Sequence, residues 1–224
     1  MINTLLLVLA AYVIGSIPTG YWVGKAKGID IRKIGSGSTG ATNVWRCVGK
    51  VEGIFTLIVD LLKGYLPVLF AINLTAQSAQ AGIIHWDGAR IALTDPTPVA
   101  VALATLIGHS KSIFLGFSGG KSAATGLGTM LAMSPAAGGL TFATWIAIVF
   151  GSKIVSLASI AASAANVAYM YLFHARIDFI AYSVLGCLYV TARHKANIQR
   201  MIAGTEPKIG DKPKESKGES DAKQ

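Results

Sequence analysis

Apolar residues run along this chain in blocks too long for a soluble domain. Crossing a hydrocarbon core of ~30 Å takes ~20 helical residues, and stretches of that length fall at about 3–24, 51–73 and 153–173. A further crossing at about 177–192 is slightly short, and 97–109, 123–133 and 136–152 form three shorter segments. The pattern predicts an all-α membrane protein, a polytopic bundle of about seven transmembrane helices. Segments of 11 to 13 residues read as half-helices that stop at membrane depth. Such interruptions are tolerated only where irregular backbone lines a polar cavity, so a cavity is expected among them.

Seven crossings put 25–50, 110–122, the turn near 152 and the chain from 193 on one side, and 74–96 and 174–176 on the other. Seventeen Lys and Arg lie on the first side, whereas the second has only Arg90 and Arg176. Cytoplasmic loops retain Lys and Arg, which predicts the N-terminus outside and the C-terminus in the cytoplasm. Composition agrees: 52% of residues are hydrophobic, 14% are charged and the mean hydropathy is +0.53, too little polar surface for a soluble globule. Met1 to Tyr21 lacks a basic n-region and a clear cleavage site, so the first helix is expected to be retained.

The net charge of +9 has no aromatic–basic interleaving or recognition module beside it, which argues against nucleic acid as a partner. Cys47 and Cys187 have no metal-ligand spacing and read as packing thiols. From Glu206 onward the chain is rich in Lys, Glu, Ser and Gly and cannot bury enough surface to offset its ordering entropy. The expected organisation is one transmembrane domain over 1–205 and a disordered charged tail over 206–224.

Three clusters on the basic side carry chemistry. Residues 35–43 read GSGSTGATN, followed by Arg46. Gly35, Gly37 and Gly40 free the backbone to turn its N–H groups toward one point, and Ser36, Ser38, Thr39, Thr42 and Asn43 add neutral donors for an anion. A flexible linker shares that composition, and no GK[ST] follows at P-loop spacing. In the second cluster Gly119 and Gly120 lead into Lys121, then Ser122 and Thr125. A helix beginning at Ser122 would aim its positive end into the same vestibule, with Lys121 as a point charge for a phosphate. Lys111 reads as a positive-inside anchor. The third cluster is RHKANIQR at 193–200. His194 and Asn197 would share a helical face, while Lys195 and Arg200 are placed to reach lipid headgroups.

Asp60 and Lys63, three apart and half-way along a span, read as a supporting ion pair under the vestibule rather than as catalytic groups. Ser156, Ser159 and Ser163 recur on one helix face and either pack helices or line the site. Acids are scarce: of eleven, five lie in the last nineteen residues. No His begins an HxxxxD sequence and no HExxH occurs. The site is rich in phosphate donors and poor in proton acceptors.

These clusters, in this order, resemble the PlsY family of acyl-phosphate:glycerol-3-phosphate acyltransferases. The likeness rests on GSIPTGY at 15–21, GSGxxGATNVxR at 35–46, DxxKG at 60–64, GHxxxxFxxFxGGK at 108–121 and HKxNIxR at 194–200. The family more often has Asn where Ser38 stands and Gly where Ser122 stands. The resemblance implies transfer of a fatty acyl group from acyl phosphate to the 1-hydroxyl of glycerol 3-phosphate, giving lysophosphatidic acid and phosphate. It assigns function to Ser36, Arg46, Lys121, His194 and Asn197. It implies no cofactor, no metal, a bacterial inner-membrane setting with the site facing the cytoplasm, and as partners membrane lipids and the phosphate acyltransferase that forms acyl phosphate. With no resident base in view, the leaving phosphate is expected to take the hydroxyl proton, while Lys121, Ser36 and amides of 35–40 stabilise the oxyanion.

Two other classes compete. A carrier for phosphorylated metabolites also uses short helices aimed at an anion, but would place polar residues in both halves of the bundle. A phosphatase or another headgroup transferase would need a nucleophile–base pair or metal carboxylates.

Overall fold

The structure, a computed structural model, describes residues 4–78, 83–86, 89–92 and 95–211. Each of the seven predicted segments is helical. The first is split into α1 (Thr4–Ser16) and α2 (Thr19–Ala26) at Pro18, which has no N–H to continue the ladder. A short α3 (Ala41–Cys47) precedes α4 (Lys50–Ser78), which carries Pro67 inside it. Next come α5 (Thr97–Ser110), α6 (Ala123–Met133), α7 (Pro135–Ser152), α8 (Val155–Leu172), α9 (Ile177–Arg193) and α10 (Lys195–Ile202). Among the described residues, four stretches are long and apolar enough to cross a membrane: Thr4–Ala26, Lys50–Ala76, Pro135–Ser152 and Val155–Leu172. The half-helices expected between 97 and 133 are α5 and α6. One element departs from the all-α expectation: β1 (Ile83–Trp86) and β2 (Ala89–Ala92) pair antiparallel, Ile83 opposite Ala92, in the loop after α4.

The α4 helix shows how the bundle sorts its faces. Ile54, Ile58, Leu62, Leu66 and Phe70 are exposed along one stripe, while Gly53, Thr56, Asp60, Lys63, Gly64 and Ala71 are buried on the opposite one. In a lipid solvent apolar side chains face out and the polar and small ones pack inward. Small residues set the closest crossings. A Cβ on Gly128 of α6 would lie 2.0 Å from the Leu61 carbonyl oxygen, and one on Gly64 would lie 2.1 Å from that of Thr125. The α1–α5 crossing is built the same way at Gly15 and Gly108. Tyr182, Met170, Val68, Val101 and Met133 fill the core between these contacts.

The loops gather as the alternation predicted. At one end Thr4 bonds Thr97 at 3.0 Å and Arg176 donates to the Asp95 carbonyl at 3.1 Å. At the other end the 27–49, 111–122 and 194–211 stretches meet. Residues 206–211, expected in the tail, reach these loops: Ile209 N donates to the Lys153 carbonyl at 2.8 Å, and the Glu206 side chain is 6% exposed. Composition missed this because one acid inserted among cations satisfies a polar segment without apolar burial. The remainder of that tail, 212–224, lies outside the described residues.

Replacing Gly128 by Ala must push α6 away from α4, since the obstacle is backbone. The expected loss is about 1–3 kcal/mol, read as a lower thermal unfolding midpoint in detergent. Gly139→Ala, where no atom lies within 4 Å of the new methyl, is expected to hold or raise it.

Candidate functional site

The convergent loops enclose a cavity of about 610 Å³, polar at the loop end and apolar along α4, α6, α7 and α8. Local backbone chemistry builds its polar wall. Gly35 and Gly37 take φ of +60° and +66°, and at Gly35 a Cβ would meet Asn43 Oδ1 at 2.4 Å. Asn43 is the staple of this loop: Nδ2 donates to the carbonyls of Ser38 (2.9 Å), Ile31 (3.0 Å) and Ile34 (3.3 Å), while Oδ1 accepts from Ser36 N at 3.0 Å. Asn43 therefore borders the cavity with its amide already committed to the loop, not free for an anion as the composition suggested. Ser38 Oγ accepts from Gly40 N at 3.3 Å, and α3 then carries Thr42 and Arg46 to the rim.

The second wall hangs on His109. Gly120 N donates to the His109 carbonyl at 3.1 Å, and Arg193 Nη2 donates to the Gly120 carbonyl at 3.1 Å. A Cβ on Gly119 would stand 2.3 Å from the His109 carbonyl oxygen, and one on Gly120 2.1 Å from its Nε2. Both glycines thus buttress the loop from behind and leave Lys121 to project into the cavity. Ser122 adopts φ +61°, a conformation that favours glycine, and donates from Oγ to the Leu106 carbonyl at 2.8 Å. It borders the cavity with its hydroxyl turned into the bundle. Gly116 to Gly120 has the GxSxG spacing of a hydrolase nucleophile, yet Ser118 is exposed, donates to the Leu115 carbonyl at 2.7 Å and does not line the cavity.

The third wall is the α9–α10 junction. His194 is buried, and its Nδ1 lies 2.7 Å from the Val190 carbonyl. A carbonyl only accepts, so this contact assigns the proton to Nδ1 and leaves Nε2 as an acceptor. Asn197 and Arg200 follow on α10. Both donate to Glu206, Asn197 Nδ2 to Oε1 at 2.6 Å and Arg200 Nε to Oε2 at 2.7 Å, and Ser156 Oγ donates to Oε1 at 2.7 Å. Ser159 borders the cavity while donating to the Val155 carbonyl at 2.9 Å and accepting from Trp145 Nε1 at 3.2 Å.

Ser36, Arg46, Lys121, His194 and Asn197 all line this one cavity, as do Gly35, Ser38, Gly40 and Thr42. Gly37, Thr39, Gly119, Gly120 and Lys63 do not. Thr39 and Lys63 instead border a small void beneath it, with Asp60 and His109 shared between the two. Asp60 and Lys63 pair at 2.8 Å with both side chains buried, Lys63 donates to the Ile17 carbonyl at 2.9 Å, and His109 Nδ1 lies 3.8 Å from Asp60.

Electrostatics follow from this crowding. Burial pushes Lys121 down to about 8, the Glu206 carboxylate opposes that shift, and Arg200, Arg46 and Arg193 add to it. His194 is likewise driven down to about 4, first by burial, so its imidazole is neutral at pH 7. Burial raises Glu206, but the Asn197, Ser156 and Arg200 bonds outweigh burial and hold its carboxyl below the usual range. Glu206 and the loop-bracing roles of His109 and Arg193 are the residues sequence reasoning missed. The signal available for Glu206 was a single acid six residues beyond Arg200 in an otherwise cationic neighbourhood.

An array of cations and neutral donors at the mouth of an apolar cavity suits a phosphate joined to a hydrocarbon chain. Comparison with known proteins points the same way. Residues 5–204 match the glycerol-3-phosphate acyltransferase family. A glycerol-3-phosphate acyltransferase of Nostoc sp. (strain PCC 7120) is 48% identical over 207 residues, 92% of this chain and 91% of the relative. Crystal structures of PlsY, an integral membrane glycerol 3-phosphate acyltransferase, superpose with TM-scores of 0.82 for the glycerol 3-phosphate form and 0.80 for the lysophosphatidic acid form. The two share 33% and 32% identity with this chain and cover 92% of it, the matches spanning 96% and 95% of those chains.

Removing the Glu206 carboxylate leaves Arg200 and Asn197 unpartnered and the cations unopposed. Glu206→Ala is expected to lose roughly 1–3 kcal/mol of stability, seen as a lower unfolding midpoint in detergent. Added inorganic phosphate should recover part of the loss in the variant and little in the parent.

Proposed function

Because the chain belongs to the glycerol-3-phosphate acyltransferase family and is an integral membrane protein, we propose that it transfers a fatty acyl group from acyl phosphate to the 1-hydroxyl of glycerol 3-phosphate. The products are lysophosphatidic acid and inorganic phosphate, the first acylation of phospholipid synthesis. The observation that carries this reading is the union, in one cavity, of Arg46, Lys121 and Arg200 with the apolar faces of Leu57, Leu127, Met130, Phe142 and Trp145. Both substrates bring a phosphate, and only an acyl donor needs the apolar length.

The mechanism has few places to put a proton. Asp60 is paired with Lys63 and Glu206 with Arg200, and His194, held to about 4, is a weak base at neutral pH. The proton therefore goes to the phosphate that leaves. Attack by the glycerol oxygen on the acyl carbon forms the new C–O bond, the bond to phosphate breaks, and the departing oxygen takes the proton. Lys121 and Ser36 with nearby amides stabilise the oxyanion, and Arg46 grips a phosphate through its planar fork. Neutral His194, through Nε2, and Asn197 orient the attacking hydroxyl. Most of the rate comes from positioning and electrostatics. The seventeen-to-two distribution of Lys and Arg supports a cytoplasmic site in a bacterial inner membrane, where a phosphate acyltransferase supplies the donor.

The deciding assay follows phosphate release from acyl phosphate by purified protein, with and without glycerol 3-phosphate, beside acyl-CoA as control donor. Release that requires glycerol 3-phosphate supports the reading. Release that ignores it identifies a phosphatase, and vesicle uptake without chemistry identifies a carrier. Lys121→Ala is expected to lower kcat/KM on the order of 10²-fold or more. The pH profile carries a sharper signature. Lys121 is cationic below about 8 and loses its charge as pH rises through that value, so kcat/KM should fall on the alkaline side. Lys121→Arg should move that limb upward, since guanidinium stays charged.

A further inference from the structure

The apolar arm of the cavity runs beside α6 and then stops. From Ser122, at the phosphate end, to Met130 the helix advances roughly 12 Å, and α8 advances roughly 10 Å from Ser156 to Ser163, also on the lining. Beyond that depth the bundle is sealed. Thr129 bonds the Tyr182 hydroxyl at 2.6 Å, Asn166 Nδ2 donates to Thr141 at 2.7 Å, and Tyr182, Met170 and Met133 are buried behind them. Met130 stands at the boundary: it lines the cavity, belongs to the core and is 4% exposed. The end of its side chain lies 3.6 Å from where a Cβ on Gly186 of α9 would be, so no side chain from α9 intervenes at that point. Ala162 of α8 lines the same cavity.

We propose that Met130 is a specificity-determining residue that closes the deep end of the acyl channel and limits the chain length the enzyme accepts. The inference rests on the acyl-phosphate reading above. Met is unbranched and fits irregular gaps, so it fills the end of the channel beside Ser163 and Thr141. Trimming Met130 to Ala removes three heavy atoms and opens space for a longer chain. Enlarging Ala162 to Leu adds three heavy atoms to the α8 lining and shortens the channel.

The test compares octanoyl, decanoyl, dodecanoyl and tetradecanoyl phosphate as donors in detergent micelles with saturating glycerol 3-phosphate. The readout is the ratio of kcat/KM between successive donors, which does not depend on how much of a variant is correctly folded. Met130→Ala should shift the ratio toward the longer donor by about 10-fold per step near the limit, and Ala162→Leu toward the shorter donor by a similar factor. Unchanged ratios in both variants, with activity retained, would overturn the assignment. If Met130→Ala is inactive, the Ala162→Leu ratio decides alone. A parent protein that transfers from none of these donors would instead remove the acyl-phosphate reading, which keeps the two failures distinct.

Discussion

Mutual repulsion among cations is the constraint on which this site depends. Arg46, Arg193 and Arg200 each bear on Lys121 across a partly desolvated space, where like charges cost more than in water. Nothing apolar can offset that. The fold offsets it with hydrogen-bonded scaffolding: Asn43 locks the first loop, the Gly120 amide and carbonyl lock the second between His109 and Arg193, and Glu206 locks the third. The same scaffolding holds the donors in place, the preorganisation that the proposed electrostatic catalysis requires.

The bilayer imposes the complementary constraint. Lys63 sits at membrane depth, where a lone ammonium is costly, and it is reconciled by Asp60 and by the carbonyl of Ile17 next to the break at Pro18. Polar groups in the spans thus find partners inside the bundle, while the stripe of Ile54, Ile58, Leu62 and Leu66 meets lipid. Glycine at the α4–α6 crossing serves the same end, because at Gly64 and Gly128 the two backbones come too close to leave polar groups exposed to lipid between them.

Much of this was legible in the sequence, for identifiable reasons. The seven segments stood out because lipid selects long apolar runs whatever their partners. The gathering of the loops followed from the placement of Lys and Arg. The glycine and serine run at 35–40 suggested an anion loop only beside the other two clusters, since a linker shares its composition. What stayed hidden depends on pairing rather than pattern. Asn43 looked like a donor to substrate and is spent on three carbonyls. Ser122 looked like a donor at the start of a helix aimed into the vestibule, but its hydroxyl turns inward and its left-handed backbone is one that favours glycine. Glu206 looked like the start of a polar tail, since a single acid carries no periodicity that would announce its partners.

The bond between Lys63 and the Ile17 carbonyl also bears on biogenesis. It joins residues 46 apart in sequence, one in each of the first two spans. A ribosome delivers the first span before the second, so the acceptor is made before the lysine that needs it. The two spans are thus equipped to enter as a helical hairpin, the kinked leader supplying the oxygen that its follower needs at mid-membrane. A second span presented without the first would have to bring its ammonium into hydrocarbon with Asp60 as its remaining partner.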